Sequence, residues 1–188
     1  MEADWEIEVG GGAAVIEALW SGFVDLRVHP ERLSEIAEAV AFPALGKLLL
    51  ALNSPTSPLW TAKCDVWTLD AEELSGMQVG LGCYVDLLPR ADQVFAHWEQ
   101  AEQLCRHWVR QLDELPLDPC RVELIVRQAI VGPLEGFGVT AYLSATAEDL
   151  PSACTMLDEA CAALARILTG VSFPSAREEQ SRPASAPI

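Results

Sequence analysis

Basic residues are scarce in this chain. Twelve Lys and Arg stand against 28 Asp and Glu, giving a formal net charge of -16. Binding to DNA or RNA phosphates depends on cationic surface, so this balance argues against nucleic acid as a partner and against anionic membranes. No run of about 18 apolar residues occurs, so nothing has the composition of a membrane-spanning helix. The opening residues, MEADWEIEV, are acidic and lack the basic and apolar regions of a secretory signal, so the expected setting is cytoplasmic.

Catalytic and metal signatures are also missing. There is no CxxC, HxxxH or GxSxG. His97 and His107 lie on one expected helix, about 15 Å apart along its axis, too far to share a metal ion. Gly10, Gly11 and Gly12 follow a strand-like segment, but their spacing fits neither GxGxxG nor GxxxxGK[ST], and a turn is the better reading. No metal and no cofactor is expected. The six cysteines, at 64, 83, 105, 120, 154 and 161, each fall within an apolar pattern and read as reduced, buried thiols.

What is present is apolar content, 51% of the chain, enough for a sizeable core. Residues 1–172 are expected to form a single α+β domain. Residues 173–188 are dominated by Ser, Pro, Ala, Arg and Glu and are expected to be a disordered tail. Period-two alternation marks strands at 5–9, 57–69, 79–88, 121–131 and 137–144. Residues 13–20 suit either helix or strand, and 14–20 are read as a hairpin with 22–28. Helical stripes are expected from Pro30 (Leu33, Ile36, Ala37, Val40), from Pro43 (Leu45, Leu48, Leu49, Leu52), over 91–115 (Val94 to Leu115), and from the Thr146–Pro151 region to Gly170. Thr146 and Asp149 have capping-box spacing, and Gly170 suits a left-handed cap.

The order hairpin, helix, three times over, suggests ββα repeats. Gly22–Leu26, Gly82–Leu87 and Gly138–Leu143 occupy equivalent places in it. Short connections favour antiparallel pairing, and amphipathic helices cover one face. The expected fold is a two-layer sandwich with a largely antiparallel sheet of five or six strands.

The 57–69 strand sets the phase. Trp60, Ala62, Cys64 and Val66 should face the helices, and Thr61, Lys63, Asp65 and Trp67 the opposite side. That second face should also collect Asp25, Tyr84, Asp86, Arg127 and Tyr142. If Asp65 and Asp86 approach, with Lys63 near, the cluster offers acid–base or ligand-binding chemistry, and Trp67, Tyr84 and Tyr142 offer a pocket wall. The expected function is an acidic binding or adaptor domain holding a protein partner or another copy of itself on this face. The alternative is a small-molecule enzyme or a ligand-binding regulatory domain built on the same residues.

Overall fold

The strands read from alternation join into one sheet in a computed structural model that describes residues 1–74 and 76–170. The tail expected over 173–188 lies outside the described residues. The strands are β1 (Glu2–Glu8), β2 (Ile16–Ala18), β3 (Leu59–Thr68), β4 (Val79–Pro89), β5 (Cys120–Val131) and β6 (Leu134–Ala147). Their order is β1-β5-β6-β4-β3, with β2 also on β5. Helices α1 (Ala37–Ala41), α2 (Pro43–Asn53), α3 (Trp98–Asp113) and α4 (Leu150–Thr169) complete an α+β fold with a mostly antiparallel sheet.

The main core lies between the sheet and the helices. Leu45, Leu48, Leu49 and Leu52 of α2, Cys105 and Trp108 of α3, and Leu157, Cys161 and Leu164 of α4 are buried there. They meet alternate strand residues: Leu81, Cys83, Val85 and Leu87 of β4, Val122, Leu124 and Val126 of β5, and Leu143 of β6. Burial at period two on the strands and at steps of three and four on the helices is what joins these faces.

Two ββα units are present, β3-β4-α3 and β5-β6-α4. Their second strands lie side by side and antiparallel, with Tyr84 opposite Tyr142 and Asp86 opposite Thr140. The equivalent stretches Gly82–Leu87 and Gly138–Leu143 therefore face each other across a local two-fold axis at the Val85–Ala141 pair.

The first third of the chain departs from that plan. Residues 14–20 and 22–28 form no hairpin. β1 and β2 instead lie in line, both parallel to β5, and residues 9–15 loop out between them opposite Gln128 alone. Segment 22–28 is turned rather than extended. The Asp25 side chain accepts the Arg27 N–H at 3.0 Å, and its carbonyl accepts the His29 N–H at 2.8 Å, so the aspartate draws the backbone out of strand geometry.

Four boundaries also differ from expectation. Residues 30–41 split into a 3-10 turn (Pro30–Glu35) and the short α1, which leaves Val40 61% exposed and buries Ala39 instead. α3 begins at Trp98, because Phe95 exchanges backbone hydrogen bonds with Phe137 and holds the preceding residues extended. Thr146 stays in β6, so Asp149 alone caps α4, accepting the Ser152 N–H at 2.8 Å. Gly170 closes α4 in a right-handed conformation, φ -78°, not the left-handed one.

Candidate functional site

On the face away from the helices, one irregularity decides what points where. β3 pairs Thr61 with Leu87 and Cys64 with Val85, so Ala62 and Lys63 together oppose Asp86. This β-bulge reverses the phase of the strand. Before it, Trp60 and Ala62 pack on the helix-free side with Ile16, Ala18, Leu88, Val94, Ala129 and Val131. Thr61 turns inward, its hydroxyl accepting from Asn53 Nδ2 of α2 at 2.6 Å. After it, Cys64 and Val66 pack on the main core, while Lys63, Asp65 and Trp67 face away. The expected orientation holds for Lys63, Asp65 and Trp67 and fails for Trp60, Thr61 and Ala62.

The helix-free face thus has two halves. One is sealed by a second small core that Phe23 also joins. Arg27 lies 3.7 Å over the buried Trp60 ring and clasps Asp25 through Nε and Nη2 at 2.8 and 2.7 Å. That clasp, first through its hydrogen bonds, holds the Asp25 carboxyl below its ordinary range. Asp25 is a clamp residue on this seal and does not join the other candidates.

The other half carries an aromatic platform. Trp67, Tyr84 and Tyr142 lie with ring centroids 6.4, 6.2 and 5.5 Å apart. A Cβ at Gly82 would sit 2.6 Å from the Trp67 indole, so only glycine lets that ring lie across β4.

Between the halves lies a pocket of about 210 Å³. Asp86 and Thr140 form its floor, Tyr84 and Tyr142 one wall, and Ala14 to Ile16 the other. Lys63 and Arg127 stand at either end. The two cations come from β3 and β5, three strand spacings apart, or about 14 Å at the backbone. Asp86 is only 5% exposed. Its Oδ1 accepts the Thr140 hydroxyl at 2.6 Å, and among the described residues no donor is paired with its other oxygen. Lys63 and Arg127 pair elsewhere, with Glu17 at 3.4 Å and Glu8 at 2.7 Å. Burial pushes the Asp86 carboxyl up to about 6, against the pull of Thr140, Arg127 and Lys63. Burial and the charge of Asp86 push the Tyr84 phenol up to about 12, so it stays protonated.

Five candidates from the sequence therefore converge here: Lys63, Tyr84, Asp86, Arg127 and Tyr142. Trp67 stands behind them in the platform. Asp65 does not meet Asp86. It opposes Tyr84, is exposed, and its carboxylate accepts the Val66 N–H at 2.7 Å. The two-carboxylate arrangement is not formed. The 14–16 wall was not singled out from sequence. Gly138 is the signal there, since a Cβ on it would lie 2.9 Å from Ile16 Cδ1, which marks a close approach to the strand.

Cys64 is no nucleophile, since burial pushes its thiol up to about 12. The six cysteines are free thiols. Among the described residues no group of three His, Cys, Asp or Glu is placed to hold a metal ion, and no helix is long and apolar enough to cross a membrane. Comparison with family profiles, curated proteins and solved structures finds no match to the chain.

Proposed function

We propose that this domain binds a small polar molecule in the pocket over Asp86. The observation that carries this reading is a nearly buried carboxylate with one oxygen unengaged, flanked by two cations that do not pair with it. Burying a charge without a partner is costly, and a fold built only for stability would place an apolar residue there. At about 210 Å³ the pocket lies below the range of about 300–1,000 Å³ typical of drug-sized ligands, which points to a small ligand. The reading is one of binding, since no second carboxylate joins Asp86 in the lining of the pocket. A reducing, cytoplasmic setting accords with six free thiols.

The test is a screen of small polar molecules against the isotopically labelled chain by NMR. Saturable shifts are expected at the amides of residues 84–86, 127 and 140–142. A screen in which these amides stay still while others respond ends the proposal. A second reading, a protein partner or a second copy seated on the platform, is favoured by half-buried Trp67, Tyr84 and Tyr142. It predicts a dimer or complex that Trp67→Ala abolishes, measured by light scattering.

A further inference from the structure

The charges of the pocket narrow its ligand further. A simple anion drawn to Lys63 and Arg127 would rest on the Asp86 carboxylate. A simple cation drawn to Asp86 would sit between two cations. Either choice places like charges together at short range in a partly desolvated site. A molecule bearing both signs avoids both conflicts.

The unengaged atoms match that requirement. Among the described residues, no donor is paired with one oxygen of Asp86. On Arg127, whose side chain is 13% exposed, only Nη2 is engaged, by Glu8. Its Nε is buried without an acceptor. The Lys63 ammonium lies 5.6 Å over the Trp20 ring and has one acceptor among the described residues, Glu17 at 3.4 Å, weak enough to yield to a competing acceptor. The site therefore lacks one donor at its floor and one acceptor at its ends. The rings of Tyr84 and Tyr142 and the side chains of Val15 and Ile16 leave apolar surface between, suited to a short carbon skeleton.

Resting on the reading of this pocket as a small-molecule site, we infer that its ligand is a small zwitterion of amino-acid type, with its ammonium on Asp86 and its carboxylate at Lys63 or Arg127. A neutral amide offers the same donor and acceptor but leaves the buried aspartate without a counter-charge.

The test titrates the protein α-amino acids, β-alanine and γ-aminobutyrate into the labelled full-length chain, beside propanoate, ethylamine and propanamide. At least one zwitterion is expected to shift amides 84–86 and 140–142 saturably. The three probes that lack one or both charges should bind about tenfold more weakly or worse. Asp86→Asn, folded by the dispersion of its spectrum, should weaken the zwitterion about tenfold and leave propanoate no weaker. Either Lys63→Gln or Arg127→Gln should weaken the zwitterion and leave ethylamine no weaker, and if neither weakens it the inference is overturned. If propanoate, ethylamine or propanamide matches the best zwitterion, the inference is overturned while the pocket reading stands. If no zwitterion moves these amides, the inference is overturned. If none of the six probe types moves them, the pocket reading loses its support too.

Discussion

The two faces of this sheet are built on opposite rules. The helix-covered face is filled with leucine, valine and thiol, and among the described residues no charged side chain is buried in it. Even its cysteines are chemically quiet, with burial pushing the Cys105 thiol up to about 12. The helix-free face buries an aspartate and most of an arginine, and it leaves their hydrogen-bonding capacity partly unused. The helix-covered face also buries an unpartnered polar atom, the Trp108 indole N–H, but that group is neutral, whereas an unmatched buried charge is costlier and has no place in a face that serves stability alone. Under the proposed function, one side of the sheet holds the fold together and the other takes the ligand.

The strongest way to break that contrast is to unseat the small core on the recognition side. Trp60 is fully buried there, its indole N–H donating to the Pro89 carbonyl at 3.1 Å and its ring supporting Arg27. Trp60→Ala should cost about 3–5 kcal/mol in chemical denaturation. Trp108→Ala, in the main core, should cost about the same. The two should differ in location. Only the loss of Trp60 should expose residues 19–29 to limited proteolysis and abolish shifts at the pocket amides. Equal protection of 19–29 in both variants would mean that the seal does not depend on Trp60.

The next effect has the opposite sign. The folded chain holds the Asp86 proton up to about 6, whereas an unfolded aspartate releases it near 3.9. Below about 4 both states are protonated, and Asp86 adds no pH slope. Between about 4 and about 6 only the folded state keeps the proton, so stability falls as pH rises. Above about 6 the penalty is complete, about 2–3 kcal/mol from the shift. Asp86→Asn keeps an acceptor for Thr140 and loses the charge. It should be more stable than the parent by about that amount at pH 8 and equal to it near pH 4, by urea denaturation at each pH. A gap that does not change with pH would remove the buried charge from the account.

Gly82→Ala should follow at about 1–3 kcal/mol. The new methyl meets the Trp67 indole and must push the ring off the platform. Near-UV circular dichroism should lose part of its tryptophan signal while the helical far-UV signal stays. An unchanged near-UV spectrum would show that the platform tolerates the methyl.

These sites differ in how readable they were from the sequence. Alternation in β4, β5 and β6 placed Tyr84, Asp86, Arg127 and Tyr142 on one face, because long strands buried on one side allow only one phase. The ββα order was legible for the same reason. The bulge at Ala62 and Lys63 was not, since WTAKCDVW alternates well enough without it. Its cause lies outside the strand, on the helix eight residues earlier: Asn53 of α2 binds both the Thr61 hydroxyl and the Thr61 N–H, and draws that residue inward. The 14–16 wall is not legible because period two shows that a segment is extended but does not choose its neighbour. Ile16 and Ala18 found β5 instead of 22–28. Asp25 alternated like a strand residue, yet its carboxylate served its own turn.

Lys63 should show the smallest stability effect and the sharpest separation between the two roles. Its side chain is 37% exposed, and its only ion pair, with Glu17, is long and solvated. Such a pair is worth about 0–1 kcal/mol, so Lys63→Gln should leave the urea midpoint almost unmoved. Removing its charge also takes away an attraction that helps ionise Asp86, so the aspartate should titrate slightly higher in the variant, read from its side-chain carbon shift. Asp65→Asn is the control one row away. It too is exposed and should be neutral in stability, but its carboxylate serves only the Val66 N–H. A shift of the Asp86 titration in Lys63→Gln and none in Asp65→Asn would tie Lys63 to the pocket and leave Asp65 on the surface. Equal shifts in both would mean that Asp86 senses the general charge of the face, and the two cations would lose their claim to be parts of a built site.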